Sequence, residues 1–433
     1  MPIALQSIIG VVALLAIAWL CSYNRSKINW RIVLVGLALH TGFCLLFSQV
    51  PPARMALDSI GVGFVKLLSF AGDGARFIFG DLANPGGKLA FIFAFNVLPI
   101  LLFFSAFSAL LYHFGILQKI VVGFAWIMKR TMQLSGPESL SVAGNIFLGQ
   151  TEAPLLVRPF VARMTRSELF CLMVGGMSTL AGSVMAAYVA FLGGADPAAQ
   201  AKFATWLLLA SIMNAPAAVI FAKMILPEED ESHMSSNRLD YDHGQHGHFI
   251  NALVDGTIEG LKLACIVAAV LLVFVSLIAF LNHMTQNVVG EWLGVNGVIR
   301  DATGGLFPGL TLQYLFGQLF RPVAWLLGVP WAETMQVGSL LGQKIVVNEF
   351  VAYLDLARLK DAGQLSPHSI MIATFALSSF SNFSSVGICV AGIGAMAPNQ
   401  QQTLAAIGMR ALLAAVLAGL LTATVGALWL TGT

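Results

Sequence analysis

Apolar runs about as long as a bilayer is thick recur along nearly the whole chain, and no other feature restricts its fold as strongly. Eight stand out: Ile3–Leu20, Ile32–Phe47, Leu89–Leu111, Ser167–Leu192, Phe203–Ile225, Leu263–Leu281, Ser369–Met396 and Thr403–Leu430. A run of roughly 20 apolar residues suits a helix that crosses the hydrocarbon core, where every backbone group must find its partner inside the chain. Charged residues make up only 10% of the 433, whereas a soluble domain carries about 25%. The expected fold class is therefore all-α integral membrane protein, with eight transmembrane helices in the cell membrane (the inner membrane in a Gram-negative bacterium).

The first run has no Lys or Arg before it, which argues against a cleaved signal peptide and for a first transmembrane helix. Arg25, Lys27 and Arg31 follow it with no acid among them, which places this loop in the cytoplasm and the N-terminus outside. Residues 1–50 thus read as two peripheral spans. Residues 51–88 mix charges and glycines with short apolar groups and read as interfacial helices, too broken to span easily.

Two segments are too short to cross twice and too polar at their centres to cross plainly. Residues 137–165 are interrupted by Gly149-Gln150-Thr151-Glu152-Ala153-Pro154, and residues 330–360 by Val347-Asn348-Glu349-Phe350. Two crossings take about 40 residues, so each segment is expected to enter and return on one side as a re-entrant hairpin. A carboxylate within the membrane costs at least ~2.5 kcal/mol and tends to mark a ligand or ion path.

The order of parts repeats. Phe124-Ala125-Trp126 precedes the first hairpin and Val323-Ala324-Trp325 the second, and Gly149-Gln150 is echoed by Gly342-Gln343. Each hairpin is followed by a span rich in Ser, Gly and Thr or Asn, then by a plain apolar span. The boundaries expected are 89–226 for the first repeat, 227–261 for a polar linker and interfacial helix, and 262–433 for the second repeat. Three crossings separate the halves, and an odd number inverts the second relative to the first, a common arrangement in secondary transporters.

The residues at the breaks limit the chemistry. Gln150, Thr151, Asn382 and Ser385 both donate and accept, while Glu152 and Glu349 accept when ionised. This set suits a neutral, hydroxyl-rich ligand with an amide-like ring better than an anion. Lys344 and Arg158 are the nearest cations and read as lying towards a hairpin base or a helix end. The alternative is that both acids pair with those bases and merely lock the hairpins. Asn145, Thr179 and the backbones of Leu148 and Leu180 have the oxygens a monovalent cation needs. The net charge of +2 argues against a nucleic-acid partner. Cys21, Cys44, Cys171, Cys265 and Cys389 lack metal or redox spacing and read as packing residues. His243, His246 and His248 belong to a polar stretch that reads as solvated linker rather than metal site. No hydrolase, metalloprotease or nucleotide-binding signature is present. An embedded enzyme using the two Glu residues as acid and base, or a passive channel, stands as an alternative to a transporter.

Gly149-Gln150-Thr151-Glu152-Ala153-Pro154 with Val157-Arg158-Pro159, and Asn348-Glu349-Phe350-Val351-Ala352-Tyr353, resemble the concentrative nucleoside transporter family. The resemblance extends from the Asn24-Arg25 loop through Asn96-Val97-Leu98-Pro99 to Ser384-Ser385. It implies a homotrimer with eight transmembrane helices per protomer and two opposed hairpins, importing nucleosides with sodium or, in some bacterial members, with protons. It implies that Gln150, Thr151 and Glu152, with Val184 alongside, meet the nucleobase. Glu349, Asn382 and Ser385 would hold the ribose hydroxyls, with Phe380 packing nearby. Asn145, Leu148, Thr179 and Leu180 would form the sodium site. Thr179 stands where a family member has Ser, and it keeps the hydroxyl. The hairpins and their partner spans are expected to move together against a framework of the third and sixth spans.

Overall fold

Several helices in this chain begin where a side chain caps the first turn or a proline removes one of its unpaired donors. In the first third, Asn29 accepts from the Arg31 N–H at 3.1 Å, and Pro51 and Pro99 sit in first turns. The computed structural model describes residues 2–84, 92–229 and 248–430. Its first six helices are α1 (Ile3–Leu20), α2 (Trp30–Gln49), α3 (Pro51–Phe79), α4 (Phe93–Asn96), α5 (Leu98–His113) and α6 (Ile116–Met132). Then come α7 (Gly136–Gly144), α8 (Arg158–Val161), α9 (Arg166–Ser178), α10 (Gly182–Gly193) and α11 (Pro197–Ile225). The remainder comprises α12 (Phe249–Asn282), α13 (Val295–Ala302), α14 (Leu312–Leu326), α15 (Thr334–Val346), α16 (Glu349–Asp361), α17 (Pro367–Leu377), α18 (Phe383–Met396) and α19 (Gln401–Trp429).

Among the described residues, eight helical segments are long and apolar enough to cross a membrane. They are not the same eight as the apolar runs. Pro51–Phe79 is one unbroken helix and qualifies, because its charges do not interrupt it. Residues 369–396 do not form one span. Ser378–Asn382 divides them into α17 and α18, of 11 and 14 residues. Residues 251–261, expected as a separate interfacial piece, continue without a break into the sixth apolar run as part of α12. His243 and His246 lie outside the described residues, and among those described no group of three metal-binding side chains occurs.

The helices fall into an inner and an outer set. In Arg166–Gly193 and Pro197–Ile225, 94% of the most apolar stretch is buried by protein, whereas in Phe249–Gly290 the figure is 17%. Only the inner set can surround a polar site with protein. In the outer set, α12 lies against α5 through Gly256 and Gly260, a small-residue pair four apart. A Cβ at Gly256 would come within 2.6 Å of the Ala109 methyl, and one at Gly260 within 2.8 Å of the Leu102 backbone. Such spacing lets two membrane helices approach backbone to backbone.

Side-chain contacts at the two ends of the molecule tie distant segments. At one end, Tyr23 donates its N–H to Ile225 O (2.9 Å), Arg166 donates to the Tyr23 hydroxyl (3.1 Å) and Thr165 donates to Glu228 (2.6 Å). Just inside, Lys223 pairs with Glu138 and donates to Ser167 Oγ at 3.0 Å. This ion pair is buried and joins α7, α9 and α11. At the other end, Gln6 donates to Val329 O (3.0 Å), and Ser366 Oγ donates to Glu333 (2.8 Å).

Candidate functional site

Four helix interruptions meet inside the inner set. The chain turns at residues 145–152, after α7, and at Val347-Asn348, between α15 and α16. It leaves the helix at 179–181, between α9 and α10, and at 378–382, between α17 and α18. Broken helices leave carbonyls and N–H groups without partners within the helix, and here side chains take many of them up.

In the second half, asparagines do this work. Asn348 caps α16, accepting from the Val351 N–H at 3.0 Å. Asn382 caps α18, accepting from the Ser385 N–H at 2.9 Å. Because capping uses only its oxygen, the Asn382 amide is left to donate to Glu349 Oε2 at 2.8 Å. The other carboxylate oxygen accepts from the Tyr188 hydroxyl at 3.1 Å. Tyr188 belongs to α10, one turn beyond Val184, and stacks on Tyr353 with ring centroids 4.2 Å apart. Glu349 is thus buried and held from both halves of the chain.

In the first half, the turn at 145–152 packs on the break at 179–182. Gly182 donates its N–H to Phe147 O at 3.1 Å, and a Cβ at Gly176 would press on Gln150 Cβ at 3.1 Å. Gln150 reaches across to α18, with Nε2 3.4 Å from Ser385 Oγ and Oε1 3.5 Å from Cys389 Sγ. Thr151 faces Gly392 on the same helix. Ser385, Cys389 and Gly392 share one face of α18, so the first tip lies along that face. Hydrogen bonds therefore run from Gln150 through Ser385 and Asn382 to Glu349 and Tyr188. Phe380 is buried within the break beside them.

Glu152 differs from the buried acid that the sequence leads one to expect. Its side chain is accessible rather than enclosed, and Oε2 accepts from the Gly149 N–H of its own turn at 2.9 Å. Neither carboxylate is locked by a base: among the described residues no ion pair joins Glu152 or Glu349 to a cation. Arg158 is exposed, while Lys344 is buried at the end of α15, donating to Ala376 O and Ser379 Oγ, both at 2.7 Å. It sits near the second turn and meets the C-terminal end of α17, rather than a hairpin base.

The four residues proposed for a cation also come together. Asn145 is fully buried, donates to Ser141 O at 2.9 Å, and its Oδ1 has no hydrogen-bond partner. Thr179 donates to Gly175 O at 3.1 Å, which leaves its lone pairs free to accept. Gly175 lies against Asn145, where a Cβ would stand 3.3 Å from Nδ2. An orphaned buried acceptor beside a helix break, with Leu148 and Leu180 buried around it, fits a small cation. Sequence reasoning missed Tyr188, Cys389 and the part played by Lys344. Only Tyr188 left a trace, as the residue one helical turn from Val184.

Three family models match the chain. They are described as Na+ dependent nucleoside transporter N-terminus over residues 9–82, Nucleoside recognition over 94–195, and Na+ dependent nucleoside transporter C-terminus over 206–427. The putative nucleoside permease NupX of Escherichia coli is 35% identical over 97% of this chain and 97% of its own. Sodium/nucleoside cotransporter 1 of Homo sapiens is 36% identical over 95% of this chain and 61% of its own length. The structure of CNTnw in an inward-facing substrate-bound state superposes with a TM-score of 0.89 at 36% identity, covering 100% of this chain and 99% of that one.

Proposed function

This chain belongs to the Na+ dependent nucleoside transporter family, and on that premise we propose that it imports nucleosides across the cell membrane, driven by a cation gradient. It is a membrane transporter, not an enzyme. One observation carries the site assignment: a single hydrogen-bonded chain, from Gln150 through Ser385 and Asn382 to Glu349 and Tyr188, draws on both halves of the sequence. Gln150, Thr151 and Glu152 present an amide, a hydroxyl and a carboxylate to a base, with Val184 packed alongside. Glu349, Asn382 and Ser385 present a carboxylate and its donors to ribose hydroxyls, with Phe380 packed beside them. Sodium at Asn145, Thr179 and the backbones of Leu148 and Leu180 is the coupling ion proposed here. Proton coupling is the competing reading, and imposed gradients separate the two.

The two interrupted segments act as re-entrant hairpins. Support comes from their ends. Glu138 and Ser167, which flank the first, are bridged by Lys223. Glu333 and Ser366, which flank the second, are hydrogen-bonded. The first pair lies with Tyr23 and Glu228 and the second with Val329, at opposite ends, as an inverted repeat requires. Alternating access would follow if the hairpins and their partner helices shuttle against α5 and α12. In that frame α3 lies at the outer surface, because a further crossing there would put the basic stretch Gln118–Arg130 outside, against the positive-inside rule. The apolar faces left exposed on α3 and α12 are the surfaces offered to lipid or to the neighbours of a homotrimer.

The test is uptake of radiolabelled uridine into proteoliposomes with an imposed sodium or proton gradient, with the product recovered and identified. Accumulation of intact uridine driven by sodium supports the reading. Proton-driven uptake indifferent to sodium overturns the coupling ion. A chemically altered product points to the embedded enzyme, and equilibration without accumulation to a channel.

A further inference from the structure

The cation site proposed in the first half lies between the end of a hairpin's first arm and the break in the helix that follows. In the second half the same two elements are α15 and the break after α17, and Lys344 fills the space between them. Its ammonium donates to Ala376 O, next to the last residue of α17, and to Ser379 Oγ, which is itself 3.0 Å from Ser381 Oγ. A carbonyl at a helix C-terminus and hydroxyls freed by a break are the ligands that membrane transporters offer to a coupling cation. A glycine makes room in each half, from α9 in the first and from α19 in the second. Gly175 makes room for Asn145 in the first half. Gly419 of α19 does so in the second, where a Cβ would stand 3.5 Å from Lys344 Nζ and 3.0 Å from Ser379 Oγ. The contrast is in occupancy by the chain: Asn145 Oδ1 has no partner, whereas Lys344 is 1% exposed and its ammonium sits among acceptors.

We infer that Lys344 is a covalently tethered cation, filling in the second half the position that an exchangeable cation takes in the first. It acts as a positioning residue: it holds the α17–α18 break, and with it Asn382, in the shape that receives Glu349. Each half then holds one carboxylate and one cation, and only the first half's cation comes and goes. One exchangeable ion per protomer follows. The inference rests on the first-half cation reading given above.

The experiment measures uridine binding to purified protein against sodium concentration, with and without methylammonium, for the parent, Lys344→Ala and Lys344→Met. The parent should show a simple hyperbolic sodium dependence. Lys344→Ala should bind uridine at least about tenfold more weakly, a change of about 1.4 kcal/mol. Methylammonium should restore most of that loss, and the sodium dependence should become sigmoidal as a second ion enters the vacated position. Lys344→Met fills the space without charge and should be equally weak and not restored. Parent-like binding by Lys344→Ala, or equal restoration of both variants, overturns the inference. If Lys344→Ala does not fold, Lys344→Met decides alone: parent-like affinity in that variant also overturns it. A parent without sodium dependence would instead overturn the first-half cation reading, whatever the variants do.

Discussion

Glu349 and Glu152 stand at corresponding turns of the two halves, yet their surroundings differ. Glu349 is buried and receives hydrogen bonds from a tyrosine of the first half and an asparagine of the second. Glu152 is exposed and receives one from the backbone of its own turn. A buried charge with fixed donors is preorganised, and a ligand that meets it need not order it first. An exposed side chain tied only locally can turn towards different ligands. On the site proposed above, the difference would give rigid recognition at the second turn, proposed for the sugar, and adaptable recognition at the first, proposed for the bases, which vary among nucleosides.

The variant expected to change uptake most is Glu349→Gln. It removes the charge at the centre of the network, and uridine uptake should fall at least about 100-fold, from the loss of charged hydrogen bonds worth ~1.5–3 kcal/mol each. Initial rates in proteoliposomes measure it, with the oligomeric state checked by size exclusion. Tyr188→Phe comes next. It deletes one donor to Glu349, and affinity should drop about tenfold, for ~1.5 kcal/mol; calorimetric titration with uridine reads it. Glu152→Gln should cost less, about fivefold on average or ~1 kcal/mol, and the loss should differ between purine and pyrimidine nucleosides in competition assays. A larger loss at Glu152 than at Glu349 would invert the comparison, and parent-like uptake by both Gln variants would end the site assignment. Cys389→Ala is the smallest. Its thiol is a weak donor to Gln150, so affinity should change by less than about twofold, or ~0.4 kcal/mol, and a tenfold loss would show that the first tip is held more tightly than Glu152 indicates.

How far the fold was legible in the sequence depended on what interrupted each run. Ile3–Leu20 coincides with α1 because nothing polar breaks it. Residues 51–79 look broken at Asp58, Lys66, Asp73 and Arg76, yet they form one continuous helix. In the helix those side chains lie exposed, and Arg54 and Asp58 meet one turn apart at 3.8 Å. The seventh run misled in the opposite sense. By length the run counts as one span, but Ser378, Ser379, Ser381 and Asn382, together with Phe380, are an interruption within it. Asn214 of α11 helps to hold it open, donating to Ser378 O at 2.8 Å. Most of the candidate site residues were legible because Gly, Pro and acids in an apolar chain are conspicuous. Tyr188 was not, since an aromatic in an apolar helix looks like packing and its partner lies 161 residues away.

The buried pair Lys223–Glu138 has a consequence for motion. Pulling such a pair apart would leave roughly 3–5 kcal/mol of uncompensated charge, which is too much to open and close on every turnover. Helices α7, α9 and α11 are therefore bolted together at their shared end. On the shuttling proposed above, any slip plane would pass outside that trio, along the outer helices, and the cargo would ride inside the part that does not shear.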